Sequence, residues 1–180
     1  MNSNRKIGII VGILFLVALF TNLVAEGIRT NESLMLLIIM LDLFSAIGVI
    51  GIGIFMYSIL KKYQKLALSY TVLRILEGII FFMMIIFLFF SINFSINFNS
   101  IYVYVFVLGG LIFYSLLYRL KLIPNWLSIW GIVAMMMLLI ANMLGLLGGG
   151  STLMILLASP IALQEFVLAI FLIVKGFRIN

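Results

Sequence analysis

The chain has 180 residues, of which 66% are hydrophobic and only 9% charged, and its formal net charge is +6. Soluble domains carry roughly 25% charged residues, so a water-facing surface cannot be built from so few, and a soluble enzyme, a nucleic-acid reader and a disordered tail are excluded. With no Cys and no His, the chain also lacks Cys/His zinc sites, disulfides, haem ligated by His or Cys, and Ser-His or Cys-His nucleophile pairs; no metal, no cofactor and no enzymatic activity are expected.

A helix needs about 20 apolar residues to cross ~30 Å of hydrocarbon. Six stretches meet or approach that length: 7–25, 34–60, 67–90, 101–118, 127–147 and 153–174. They lack the alternation of a membrane barrel, and Leu, Ile, Met and Phe run on all faces, as helices in lipid require. The predicted fold class is therefore all-α, a polytopic membrane bundle of six transmembrane helices forming one integral domain over 1–180.

Span one follows Arg5-Lys6, as a signal peptide would, but Leu23 is a poor minus-three residue for cleavage after Ala25, and the stretch reads as a retained span. Asn22 and Glu26 mark its outer end, with Glu26 solvated at the interface. Gly8-x-x-x-Gly12 has close-packing spacing. After span three, Ser-Ile-Asn-Phe occurs twice from Ser91, which reads as a drifted loop. Asn31-Glu32-Ser33 and Asn93-Phe94-Ser95 match a glycosylation pattern that is common by chance. In span five Asn142 reads as interhelical glue and the Met clusters as soft packing, and Gly148–Gly150 reads as a loop. Pro160 inside span six removes a backbone donor, which predicts a kink and leaves the Leu156 carbonyl in need of a partner.

Six spans put Arg5, Lys6, Lys61, Lys62, Lys65, Arg119, Lys121, Lys175 and Arg178 on one side, against Arg29 alone on the other. The positive-inside rule then predicts two cytoplasmic termini in the cell membrane. The same asymmetry accounts for the net charge without a nucleic-acid partner. Tyr63, Tyr118, Trp126 and Trp130 lie near that boundary, where amphipathic rings settle.

Four ionisable residues fall well inside the spans: Asp42, Arg74, Glu77 and Glu165. Each costs ~2.5–3.5 kcal/mol at a helix centre, so partners are expected. At ~1.5 Å per residue, Arg74 lies about 11 Å and Glu165 about 13 Å from the cytoplasmic ends of their spans. Glu77 shares the Arg74 face, and Asp42 is about 12 Å from the outer end of span two by the same rise. All four can surround one mid-membrane site, with Gln164 beside it. Three carboxylates against one guanidinium predict a bound proton or cation. The bland alternative is a structural tie from Arg74 to Glu165, with Asp42 and Glu77 neutral.

ALSYTVLRILEG at 67–78, RLKLIPNWLSIWGIV at 119–133 and ASPIALQEFVLAIFLIVKGF at 158–177 resemble the bacterial membrane-protein family called domain of unknown function 4386. The resemblance covers most of the chain. It implies a compact helical membrane protein whose recurrent polar residues correspond to Arg74, Glu77, Pro124, Trp126, Gln164 and Glu165.

Three functional readings follow. The first is a polar intramembrane site binding a small molecule, lipid or ion with proton coupling, formed by three-helix halves of inverted topology. The second is a non-catalytic accessory subunit whose buried charges are only ties. The third, least supported, is an intramembrane hydrolase sharing a proton between Asp42 and Glu77. The bilayer is a partner in all three, and the oligomeric state is left open.

Overall fold

A computed structural model describes residues 3–61, 64–90 and 98–178. Lys62, Tyr63, the Asn93-Phe94-Ser95 triplet and most of the Ser-Ile-Asn-Phe tandem lie outside the described residues. Among the described residues six helices follow one another: α1 (Ser3–Ile28), α2 (Met35–Leu60), α3 (Gln64–Phe89), α4 (Phe98–Leu120), α5 (Asn125–Leu146) and α6 (Ser151–Val174), with a 3-10 turn at Glu32–Leu34 before α2. All six are long and apolar enough to cross a membrane. Five of them start about a turn or less before their apolar stretches, because polar residues such as Arg5, Lys6 and Lys65 already belong to the helices, and Arg119 continues α4 past its stretch; α2 begins one residue later than its stretch.

Each helix packs on its neighbours in the chain, and α6 closes back onto α1, so the six form a ring. Short connections enforce this order, since consecutive spans must lie side by side. The closing seam depends on small residues. A Cβ at Gly12 would lie 2.8 Å from the Ala169 carbonyl oxygen, and one at Gly8 would lie 3.2 Å from Gly176 Cα. The outer surface is apolar, with Leu36, Ile47, Leu108, Ile155 and Val174 all exposed. Such a surface suits lipid, where the backbone must satisfy itself within the helices.

The connections are ended by local chemistry. At the end of α5, Gly148 takes φ +78°, its N–H donates to the Gly145 carbonyl at 3.2 Å, and Gly149 N–H reaches the Leu144 carbonyl at 2.8 Å. Those two hydrogen bonds make the Schellman closure, which favours glycine at the left-handed position. The end of α4 closes the same way, but with Lys121 at φ 52°. Pro124 then caps α5, its carbonyl accepting from Leu127 N–H at 3.0 Å. Arg178 N–H donates to the Leu122 carbonyl at 2.8 Å, and Gly176 lies against Arg5. The start of α1, the segment after α6 and the α4–α5 connection therefore share the basic end of the bundle. Trp126 and Trp130 stack there with centroids 6.2 Å apart.

α6 runs without interruption through Pro160. The Leu156 carbonyl accepts the Ser159 hydroxyl at 3.1 Å, so the partner it needs comes from within the same turn. Gln164, which sequence proximity suggested, is used elsewhere.

Candidate functional site

Tyr70, Arg74 and Glu77 recur at helical spacing and share one face of α3. Arg74 Nη1 donates to Glu77 Oε2 at 2.8 Å, and Arg74 Nε donates to the Tyr70 hydroxyl at 3.2 Å. Both charged side chains are buried, at 2% and 1% exposure. The guanidinium carbon also lies 5.9, 5.6 and 5.4 Å from the ring centres of Phe15, Tyr70 and Phe106. Rings from α1, α3 and α4 thus offer it their negative faces. Tyr70 is held in turn by stacking on Phe113 at 4.9 Å. Gly53 on α2 lets this assembly approach, since a Cβ there would lie 2.8 Å from Arg74 Cβ.

Beside the pair is a cavity of about 200 Å³. Arg74, Glu77 and Glu165 supply its charged lining, and Asn22 and Ser45 add polar groups. The remaining wall is aliphatic and aromatic, including Phe81, Tyr102 and Phe106. On α1 the cavity reaches Asn22 and Leu23, in the half of the helix opposite Arg5 and Lys6. It therefore occupies the middle of the bundle and the half away from the basic end.

Glu165 is half-buried and lines this cavity. Among the described residues it forms no hydrogen bond and no ion pair. This corrects the expected tie: Arg74 is answered by Glu77 of its own helix, and Glu165 faces the same space without touching the guanidinium. Glu77 Oε1, the oxygen that Arg74 leaves unused, is buried with no donor.

Asp42 is a second correction. It is not in the cavity lining. Its two carboxylate oxygens accept from Arg29 Nη1 and Nη2, each at 3.2 Å, while Arg29 Nε donates to Glu26 at 2.7 Å. Burial works against the charge on Arg29, but the hydrogen bonds and proximity of Asp42 and Glu26 outweigh it, leaving the guanidinium more basic than usual. Arg29 had counted only as the lone basic residue of its side. It lies one helical turn after Glu26, just past the end of α1, and bonds Asp42 on α2 across the connection. With both oxygens of Asp42 engaged, a proton shared with Glu77 has no geometric basis.

Gln164 is also absent from the cavity wall. The Tyr114 hydroxyl donates to its Oε1, and its Nε2 donates to the Leu127 carbonyl at 3.3 Å. One buried amide thereby links α4, α5 and α6. Asn142 does not act as glue through its amide nitrogen, which is buried without a partner. The aromatic rings around Arg74 escaped sequence reasoning, because nothing distinguishes Phe15 or Phe106 among 16 phenylalanines. Tyr70 alone carried a signal, its spacing from Arg74.

Fold and site together define a multi-pass membrane protein, a ring of six spanning helices around a buried charged pocket. The chain belongs to the family described as Domain of unknown function (DUF4386), whose model matches residues 7–99 and again 92–176. The two matches divide the chain at the α3–α4 connection. Neither curated proteins nor solved structures give a match.

Proposed function

We propose that this protein sits in the cytoplasmic membrane with both termini in the cytoplasm, and that its central cavity binds a small ligand in exchange with a proton on Glu165. It acts by binding or carrying rather than by catalysis. The carrying observation is a carboxylate without a partner, turned into a cavity of about 200 Å³ beside a complete Arg74–Glu77 ion pair. A purely structural charge would be paired, as Asp42 is with Arg29. The cavity has room for several waters or one small molecule, at roughly 30 Å³ per water. The basic residues support the orientation through the positive-inside rule, which turns the cavity toward the outer leaflet. A non-catalytic accessory subunit requires no such space.

Dicyclohexylcarbodiimide tests this reading. The apolar reagent adds to protonated carboxyls that it reaches through lipid. In nanodiscs it is expected to modify Glu165 once per chain, read by peptide mass, and Glu165→Gln abolishes the adduct. Water-soluble carbodiimide on exposed Glu26 is the positive control. Modification of Glu77 instead, or none at Glu165 while the control succeeds, would refute the proposal.

A further inference from the structure

We infer that the cavity takes a small monovalent organic cation with N–H donors, a primary or secondary ammonium on an apolar body; this rests on the reading of Glu165 as an open binding group. The first argument is charge. Once Asp42 is assigned to Arg29, the cavity carries Arg74, Glu77 and Glu165, a net charge of minus one when all are ionised. An anion deepens that charge, a neutral ligand leaves it, and one positive charge cancels it in a medium where uncompensated charge is costly.

Hydrogen-bonding chemistry narrows the class. The charged polar atoms left over in this cavity are carboxylate oxygens, both oxygens of Glu165 and Glu77 Oε1 buried without a donor, while the neutral Asn22 amide and Tyr102 hydroxyl also line it. The carboxylate oxygens call for a ligand that donates. Arg74 meanwhile is engaged by Glu77 and Tyr70 and surrounded by three rings, which makes it a poor receptor for a carboxylate or phosphate. A bare metal ion fits less well than an amine. No group of three acidic or His/Cys ligands gathers among the described residues, whereas Phe81 and Tyr102, packed edge to face at 4.7 Å, present aromatic wall to an apolar body and a cation alike.

The groups facing Glu165 are Asn22 on α1, Ser45 on α2, Arg74 and Glu77 on α3 and Tyr102 on α4, while α5 contributes only Leu138. Arg74 is the one cation among these lining groups, and it is already answered by Glu77. Glu165 is thus the group that a ligand cation displaces a proton from.

Calorimetry on the full chain in nanodiscs, with four probes of one size class, tests the assignment. Benzylamine is expected to bind with release of a proton to buffer. Benzyltrimethylammonium, equally charged but without N–H donors, binds about tenfold or more weakly, and Glu165→Gln weakens benzylamine by a similar factor. Benzyl alcohol and benzoate bind more weakly than the amine. Alcohol or benzoate binding as tightly as the amine overturns the cation class while leaving the cavity reading intact. No binding by any probe, with carbodiimide still reacting at Glu165, also overturns the amine class alone. Loss of the carbodiimide reaction instead removes the reading beneath it.

Discussion

Replacing Glu77 with Ala removes the carboxylate that bonds Arg74 at 2.8 Å in a site where both side chains are almost wholly buried. Breaking a buried ion pair by deleting one partner costs about 3–5 kcal/mol, because the surviving charge keeps its desolvation penalty. Tyr70 and the three rings remain, but they offer one neutral hydrogen bond and quadrupoles, not a counter-charge. At about 2–4 °C per kcal/mol for a chain of this length, the melting temperature in nanodiscs should fall on the order of 10 °C. Glu165→Gln is the contrast. It breaks no hydrogen bond and no ion pair, removing only a longer-range attraction for Arg74, and should leave the ligand-free protein within about 1 kcal/mol of wild type. The double variant Arg74→Leu, Glu77→Leu should recover much of the loss, since apolar replacement of a whole buried pair is often neutral or better. Thermal unfolding followed by the fluorescence of Trp126 and Trp130 reads all four proteins. If Glu165→Gln destabilises as much as Glu77→Ala, Arg74 is held across the bundle after all and the assignment of the pair is wrong.

Asp42→Asn should cost about 1–3 kcal/mol through loss of the charge-assisted bonds to Arg29, without changing carbodiimide reaction at Glu165; a change there would join the outer cluster to the cavity. Glu26→Ala, at an exposed partner of the same arginine, should stay within about 1 kcal/mol, as chemical or thermal unfolding would register. Gly12→Val should open the α1–α6 seam, costing at least about 1–3 kcal/mol by overpacking against Ala169, and expression as monodisperse protein is the direct check. Gln164→Leu should cost about 1–3 kcal/mol, because the Tyr114 hydroxyl is left unpaired in the core and the Leu127 carbonyl loses its donor from α6; a melting point equal to wild type would show that those bonds do not join the three helices.

Hydrophobic length was sufficient to define six helices and their order around the bundle. In lipid a backbone satisfies its own donors and acceptors only as a helix or in a closed barrel, so continuous apolar runs without alternation select the helix, and short connections make consecutive helices neighbours. The loop after α5 was legible for a local reason: glycines at 148–150 act on φ/ψ and hydrogen bonds within a few residues. Helical spacing likewise placed Glu77 beside Arg74.

Partnership between helices was decided by the tertiary structure. Depth along an axis placed Asp42, Arg74, Glu77 and Glu165 at similar heights, but the rotation of each helix and the path of the α1–α2 turn determine which groups touch. Rotation turned Asp42 to Arg29 and Gln164 to Tyr114, gathered Phe15 and Phe106 around the guanidinium, and left Glu165 turned into an open space. Such rotations are set by packing between side chains far apart in the chain, through contacts like Gly12 on Ala169 and Gly53 on Arg74. In helices apolar on every face, the hydrophobic pattern carries little information about which side faces inward.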